Sequence, residues 1–284
     1  MSGPPRIFDR RLYAQRRLRA RGTDFLVGEA AAQIAERAAA VNRRFLRALD
    51  ISSRHAAFEV LKPVAEHWTR TRLSGSGGDL IADEEALPFA PASFDLVTSV
   101  HSLHAVNDLP GALLQARHVL RPDGLFLAAL FGGDTLRELR QAFAAAESDI
   151  AGGITPRVAP FADGRDLGAL LQRGGFALPV ADVERTVVHY RDPSSLFQDL
   201  RALGESNPLA GRSRSVLRRD VLAAALADYQ QANSEGGGRL KATFDVIYLT
   251  GWSPHESQQR PLAAGSAHTR LADGLRNREL PGTT

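Results

Sequence analysis

Residues 125–131 constrain the fold more than any other part of this chain, because all seven are nonpolar (Leu-Phe-Leu-Ala-Ala-Leu-Phe). A strand without a polar side must be covered on both faces, which is typical of a parallel sheet between layers of helices. Two further strands are predicted at residues 45–51 and 94–100, and helical patterns lie between them. Strands and helices that alternate in this way predict an α/β fold with a mostly parallel sheet.

Several helices are predicted from capping residues and apolar spacing. Asp24 and Asp108 each precede a helical pattern and are predicted to be N-caps. A third helical pattern runs over residues 58–68 and is expected to kink at Pro63. The segment Thr135-Leu136-Arg137-Glu138 matches a capping box, which predicts that another helix begins there.

The chain is divided here into three parts. Residues 1–23 form an N-terminal arm, residues 24–254 the main domain, and residues 255–284 a tail. Two late strands, at residues 183–190 and 243–250, flank a helical insert at about 194–236. No apolar run approaches the ~18 residues needed to span a bilayer, so we expect no transmembrane segment.

Composition excludes several kinds of chemistry. The chain has no cysteine, which excludes disulfides, thiol nucleophiles and Cys-ligated metal centres. Its N-terminal arm is rich in arginine and has Asp9 as its only acid before residue 24. Such a segment is typical of a structured or partner-contacting arm, of a targeting segment or of nucleic-acid contact. We favour the arm and expect no nucleic-acid partner, because arginines elsewhere are mixed with acids.

Residues 83–97 (Asp-Glu-Glu-Ala-Leu-Pro-Phe-Ala-Pro-Ala-Ser-Phe-Asp-Leu-Val) resemble class I S-adenosylmethionine-dependent methyltransferases. Residues 102–104 and 120–124 fit the same family. The resemblance implies a Rossmann-like class I methyltransferase fold, with a mostly parallel sheet, an antiparallel edge strand and here the helical insert. Ligands of such a sheet lie at the carboxyl ends of the strands. The implied cofactor-binding positions are Asp50, Ser52, Ser53, Arg72, Asp83 and Ser99.

A closer resemblance covers residues 7–267. It rests on Phe8-Asp9-Arg10, on segments 106–110, 131–136 and 204–207, and on a tail motif that ends at Arg260-Pro261. These segments are similar to the branch that contains the complex I assembly factor described as a protein arginine hydroxylase, with its alphaproteobacterial relatives. That resemblance implies a protein client, such as a subunit of complex I, and no catalytic residue is assigned. The implied substrate or partner positions are His104, Asn107, Asp134, Glu205, Asn207 and His255.

The cofactor region departs from the methyltransferase pattern. Methyltransferases place a glycine-rich turn after the first strand so that the cofactor can approach the backbone, but residues 52–57 contain no glycine. About 20 residues after Asp50, where the family has an acid for the ribose hydroxyls, the chain has Arg72, which cannot accept a hydrogen bond. Asp83 matches the adenine contact, although a solvated acidic loop of Asp83, Glu84 and Glu85 is the favoured alternative. The sequence therefore predicts weak or absent S-adenosylmethionine binding.

Histidines do not predict a metal centre. His101 and His104 lie near Asp108, but pocket lining or packing explains them better than metal binding, and we expect no metal. His255-Glu256 lacks the second histidine of a zincin motif and is expected to make a structural contact in the tail.

Three functions stay open at this point. The first is a complex I assembly or maturation factor, with hydroxylation of a client arginine implied by resemblance alone. The second is an active S-adenosylmethionine-dependent methyltransferase with an unusual loop, and the third is a cofactor-free scaffold. The arm, strand-end loops and tail either dock an acidic client segment through arginines or only seal the domain. The expected location is the bacterial cytoplasm, or the mitochondrial matrix in a eukaryote.

Overall fold

A computed structural model describes residues 6–20, 25–52, 54–75, 78–235 and 238–259. The strands are β1 (Phe45–Asp50), β2 (Ala65–Arg72), β3 (Leu80–Ile81), β4 (Phe94–Val100), β5 (Leu120–Phe131), β6 (Ala177–Tyr190), β7 (Ser234–Glu235) and β8 (Arg239–Trp252). The helices are α1 (Arg10–Arg19), α2 (Phe25–Ala39), α3 (His55–Leu61), α4 (Leu109–Val119), α5 (Arg137–Ala151), α6 (Gly164–Arg173), α7 (Pro193–Ala202) and α8 (Arg219–Asn233). Short 3-10 turns lie at Lys62–Val64 and Leu103–Ala105.

The strands form one sheet in the order β3-β2-β1-β4-β5-β8-β6, with β7 paired to β8. Strands β1 to β5 pair in parallel, whereas β8 is antiparallel to both β5 and β6. Helix α3 connects β1 to β2 and helix α4 connects β4 to β5, whereas no helix lies between β2, β3 and β4 in the described residues. The predicted Rossmann-like fold, with its mostly parallel sheet and antiparallel edge, is confirmed.

Strand β5 lies at the centre of the core. Each of residues 125–131 is at most 3 % exposed. Leu127 and Phe131 pack in one apolar cluster with residues of α2, α5 and α8, and Phe126 and Leu130 pack in a second with α4 and α6. Burial of such side chains contributes about 1.5–3 kcal/mol each. The prediction from the nonpolar run is therefore confirmed.

The helix predicted over residues 58–68 is wrong in its second half. Helix α3 ends at Leu61, Pro63 lies in a 3-10 turn, and Ala65 begins β2. Proline has no N–H to continue the helical ladder, and the chain beyond it pairs with β1 instead. Phe58 and Trp68 still touch, edge to face at 5.7 Å between ring centroids, but across a helix and a strand.

The predicted capping box at residues 135–138 is also wrong. Helix α5 begins at Arg137, and its N-cap residue Leu136 makes no side-chain cap. The Thr135 hydroxyl instead donates to the Asp245 carbonyl at 3.1 Å, and the Glu138 carboxylate accepts from the Thr243 amide at 3.2 Å. Both side chains thus bind β8, because the start of α5 is buried against this strand. The cap predicted at Asp24 lies outside the described residues, whereas the Asp108 cap is confirmed by its bond from the Gly111 amide.

The chain divides into two compact units, residues 1–254 and residues 255–284. In the first unit, α1 is packed against the sheet domain, since Tyr13 is 1 % exposed and Phe8 forms a bridge with Leu209. The described helices include none with both the length and the apolarity that a bilayer crossing requires.

Candidate functional site at the strand ends

Two cavities open at the carboxyl side of the sheet. Cavity A, of about 570 Å³, lies at the ends of β1 and β2 beneath α1, with Tyr13, Arg17, Asp50, Ser52, Arg54 and Arg72 among its walls. Cavity B, of about 660 Å³, lies between α1, β5 and the loop after α7. Six phenylalanines line it: Phe8, Phe131, Phe143, Phe161, Phe197 and Phe244.

A polar cluster forms the wall between the two cavities. Its centre is Glu205, whose Oε1 accepts from Arg54 Nη2 at 2.5 Å and from the Tyr13 hydroxyl at 3.2 Å. The other oxygen, Oε2, lies 3.0 Å from His104 Nε2. Arg54 and Tyr13 line cavity A, whereas His104 and Glu205 line cavity B. One carboxylate therefore holds together the side chains that line both cavities.

Burial and neighbouring charges set the ionisation of the titratable side chains in this wall. Burial alone would raise the pKa of Glu205, but His104, Arg54 and Arg17 outweigh it and lower that pKa to about 2. Burial raises the pKa of the Tyr13 phenol to about 12, so this hydroxyl stays a donor. Burial, Arg54 and His104 lower the pKa of His101 well below its ordinary value. The ring of His101 is neutral and stacks on Phe131 at 4.1 Å between centroids.

Two arginines take the backbone acceptors at the ends of β1 and β4. Arg17 donates to the carbonyls of Ser52 at 2.5 Å and His101 at 2.7 Å. Arg54 donates to the same His101 carbonyl at 3.1 Å and to that of Leu203 at 2.8 Å. In this fold the amino-acid end of a bound cofactor lies beside these strand ends. The chain fills that place with its own guanidinium groups.

The predicted cofactor residues are only partly brought together. Asp50 and Ser52 line cavity A and bond to each other, with the Asp50 carboxylate accepting from the Ser52 amide at 2.9 Å. Arg72 lies at the end of β2 in the same cavity. Ser99 lies within β4, bonded to the Ser102 hydroxyl at 2.9 Å, and lines neither cavity. Ser53 lies outside the described residues.

Asp83 lines neither cavity and is paired with a residue of α1. Its Oδ1 accepts from Arg10 Nη2 at 2.9 Å, and the same guanidinium group pairs with Glu84. Burial tends to lower the pKa of Arg10, but Glu84 and Asp83 raise it overall. The acid that matches an adenine contact is thus bound to α1.

The residues present do not fit S-adenosylmethionine in the manner of the fold family. The turn after β1 has no glycine and is crossed by Arg17 and Arg54. Arg72 offers donors where ribose hydroxyls need an acceptor, and Asp83 is already paired with Arg10. Each of the three contacts expected for the cofactor is therefore altered or occupied.

Three of the predicted substrate or partner residues meet at cavity B. His104 and Glu205 form the bond described above, and Asn207 lines the same cavity while its amide donates to the Pro156 carbonyl at 2.8 Å. Asn107 lies apart from both cavities. Its side chain accepts from the Phe8 amide at 2.8 Å and donates to the Phe8 carbonyl at 3.1 Å, which fixes the segment before α1.

The remaining two predicted residues are also outside the cavities. Asp134 pairs with Arg185 at 2.6 Å and Arg137 at 3.3 Å. His255 belongs to the second unit, where its Nδ1 lies 2.8 Å from the Ser257 hydroxyl. The tail motif at Arg260-Pro261 falls beyond the last described residue.

No sequence motif identified Tyr13, Arg17 or Arg54 as site residues. Tyr13 and Arg17 are four residues apart on α1, so they share a face, and Arg17 Nη1 donates to the Tyr13 hydroxyl at 2.9 Å. An aromatic residue among the arginines of the arm was the available signal for a docked helix. Among the described residues, no group of three or more His, Asp or Glu side chains is placed to hold a metal ion.

Comparisons with known proteins agree with this architecture. A family model described as "Methyltransferase domain" matches residues 26–128. The chain is 39% identical over 263 residues to arginine-hydroxylase NDUFAF5, mitochondrial, of Danio rerio, covering 88% of this chain and 82% of that protein. It is 41% identical to the malonyl-[acyl-carrier protein] O-methyltransferase of Laribacter hongkongensis over 65% of this chain and 59% of that protein. Among solved structures, the YcgJ protein of Bacillus subtilis shares the fold at 14% identity, with a TM-score of 0.55 and coverage of 80% of this chain and 99% of that one.

Proposed function

Because this chain belongs to the family of the NDUFAF5 arginine-hydroxylases, we propose that it hydroxylates an arginine of a protein client held in cavity B. The observation that carries the proposal is the 39% identity to the Danio rerio relative, which extends over 88% of the chain. That span is much longer than the matched methyltransferase domain. The client we propose is a subunit of respiratory complex I, modified in the bacterial cytoplasm or, in a eukaryote, the mitochondrial matrix.

The walls of cavity B suit an arginine side chain. The rings of Phe131 and Phe161 lie 6.2 Å apart between centroids, and Phe197 faces the same space. Aromatic faces attract a guanidinium group through cation–π interaction, and apolar walls accept its alkyl stem. These walls therefore support both halves of the proposed substrate.

His104 supplies a polar contact inside this apolar space. Its Nε2 lies 3.0 Å from the Glu205 carboxylate, which is ionised and can only accept. In the neutral ring, that bond places the proton on Nε2 and leaves Nδ1 as an acceptor. Nδ1 is buried and has no hydrogen-bond partner among the described residues. We propose that the client binds the neutral form of the His104 ring, in which Nδ1 accepts from an N–H of the client guanidinium group.

The edge of cavity B suggests the sequence around the client arginine. Arg16, Arg19, Arg157 and Arg201 lie among its lining residues, and Arg19 and Arg201 are exposed. These charges repel a bare arginine and attract carboxylates, which pair with guanidinium groups in a bidentate manner. The client segment we propose therefore has acidic residues beside its arginine.

The reaction has a fixed balance. One C–H bond of the arginine side chain becomes C–OH with one atom of dioxygen. The other oxygen atom leaves as water, with two electrons from a reductant and two protons. The residues of cavity B bind and orient the arginine, and its aromatic walls exclude water. Methyl transfer is the competing function, but the residues of cavity A do not support the family's mode of S-adenosylmethionine binding.

The test is mass spectrometry of complex I subunits from four strains of the source organism. One strain lacks the chain, one carries the wild type, and one carries His104→Ala, with Leu114→Ala on the exposed side of α4 as the matched control. We expect one arginine to carry an extra oxygen atom in the wild-type and Leu114→Ala strains only. An unchanged arginine in all strains, or a methyl group in its place, overturns the proposal.

A further inference from the structure

Arg72 is a half-buried cation in the wall of cavity A. It is the last residue of β2, and in doubly wound folds this strand end meets the ribose of a bound nucleotide. Its Nε and Nη1 atoms are buried and have no hydrogen-bond partner among the described residues. The hydroxyl of Ser74, also in this wall, is buried and likewise has no hydrogen-bond partner among the described residues. Donors that are buried without an acceptor are costly, so their presence together indicates a missing acceptor group.

The other charged groups around cavity A have partners. Arg54 pairs with Glu205 at 2.5 Å, and Glu84 pairs with Arg10. Arg70 lies 3.8 Å from Asp79 and stacks on the ring of Phe58 at 4.2 Å. No carboxylate within the described part of the chain pairs with Arg72. Asp50, also in this wall, accepts from the Ser52 amide at 2.9 Å. Of the arginines described around cavity A, Arg72 alone has no ion-pair partner.

We infer that cavity A binds a phosphate monoester through Arg72 and Ser74, and that the phosphate is carried on the ribose of a nucleoside. A planar guanidinium fork matches two phosphate oxygens, and a serine hydroxyl adds a third donor. An arginine at the ribose position, in place of an acid, accommodates a 2′-phosphate in related dinucleotide folds. The cavity volume of about 570 Å³ is within the range of small-molecule sites.

This inference is independent of the proposed reaction. It concerns cavity A, whereas the client arginine is assigned to cavity B, and its test uses neither client nor turnover. It concerns one of two departures from the methyltransferase pattern, Arg72 in place of an acid and a turn after β1 without glycine. Both changes remove contacts to S-adenosylmethionine, and the arginine creates one to a phosphate.

The test is calorimetric titration of the full chain with four probes: adenosine 2′-monophosphate, adenosine, inorganic phosphate and S-adenosylhomocysteine. The variants are Arg72→Ala, Arg72→Asp and Arg72→Lys, with Arg44→Ala as the matched control because its side chain is 89% exposed. We expect adenosine 2′-monophosphate to bind the wild type and Arg44→Ala at least about tenfold more tightly than adenosine or free phosphate. Arg72→Ala should lose that preference, and Arg72→Asp should bind adenosine better than its phosphate.

Several outcomes overturn the inference. Inorganic phosphate that binds as tightly as the nucleotide makes this a free-anion site. Adenosine or S-adenosylhomocysteine that binds the wild type as tightly as the phosphorylated probe removes the role of Arg72. Arg72→Lys, which keeps the charge but not the fork, provides the second measurement if the other variants fold poorly. It should bind the nucleotide with intermediate affinity, and unchanged affinity contradicts bidentate recognition.

Discussion

The hydroxyl of Tyr13 lies 3.2 Å from Oε1 of Glu205, and this bond joins α1 to a loop 192 residues later in the chain. Arg17 extends the connection, because its guanidinium group donates to the Tyr13 hydroxyl and to the His101 carbonyl. Tyr13 also lines cavity A, while Glu205 lines cavity B. Helix α1 is therefore a structural part of the site rather than an appendage to it.

The first prediction concerns the stability that Glu205 supplies. Glu205→Gln removes the carboxylate that neutralises Arg54 while leaving the shape of the side chain nearly unchanged. Breaking a buried ion pair at one partner costs about 3–5 kcal/mol, because the other charge stays buried. We expect a loss of that order in urea unfolding, and a negligible loss for Glu59→Gln, whose side chain is 57% exposed. Equal stability of the two variants would contradict this account of the wall.

The second prediction is a pH dependence with a definite sign. The pKa of Glu205 is about 2 in the folded protein, against an ordinary value of 4.5 in the unfolded chain. The contribution of Glu205 to the free energy of unfolding is fully present above about pH 4.5. It is lost as the pH falls towards the pKa of the folded state, because the unfolded chain binds the proton first. The contribution is on the order of 3 kcal/mol. Urea midpoints measured from pH 6 down to pH 3 should fall more steeply for the wild type than for Glu205→Gln, and parallel curves would refute the assignment.

The third prediction is weak S-adenosylmethionine binding. Arg17 and Arg54 occupy the carbonyls at the ends of β1 and β4, and Arg72 cannot accept from ribose hydroxyls. A calorimetric dissociation constant in the low micromolar range would contradict this. Ser52→Gly with Arg72→Asp restores the two sequence features that the family has at these positions. We expect only partial recovery of binding in that variant, because both arginines from the wall still fill the cofactor's amino-acid end.

Patterns of neighbouring residues predicted those secondary-structure elements that neighbouring residues determine. The nonpolar run 125–131 identified β5, because a strand with no polar side has one place in a layered fold. The apolar pattern of residues 58–68 predicted a single helix, and this was wrong. Phe58 and Trp68 make the expected contact, but across a chain reversal at Pro63. Thr135 and Glu138 carry a helix-start pattern but bind β8 instead. Whether the edge of β8 lies against this segment depends on the tertiary fold, so the four residues of a capping-box pattern do not determine it.

The candidate site, like the fold, was predicted only in part from the sequence. Arg72 was identified from the sequence because its distance from β1 is set by one helix and one strand. The Tyr13–Glu205 and Arg54–Glu205 bonds join segments that are far apart in the chain. Such contacts follow from how the loops fold over the strand ends, so no spacing rule predicts them.

The fourth prediction concerns the core strand. Leu127→Asp places a carboxylate at a position that is 1 % exposed, where no partner can compensate its lost hydration. We expect this variant to be insoluble on expression. The matched change Leu114→Asp, on a side chain of α4 that is 46% exposed, should express and melt like the wild type. Soluble Leu127→Asp with an unchanged melting temperature would place β5 outside the core.

The last prediction separates client docking from structural sealing at cavity B. Arg19 and Arg201 line this cavity with exposed side chains, whereas the Arg17 side chain is 12% exposed and bonded within the wall. Arg19→Glu with Arg201→Glu reverses the charge that attracts an acidic client segment and removes no described hydrogen bond of either side chain. Exposed substitutions of this kind change stability by about 0.5 kcal/mol or less, so the melting temperature should hold. Co-purification of the modified complex I subunit should fall by about tenfold or more, since each lost charge pair at an interface weakens binding.

Arg191→Glu, at a side chain that is 91% exposed and outside both cavities, is the control and should bind the client normally. If the double variant captures the client as well as the wild type, these arginines do not dock it. If instead its melting temperature falls first, the two residues stabilise the fold, and the docking surface must lie elsewhere.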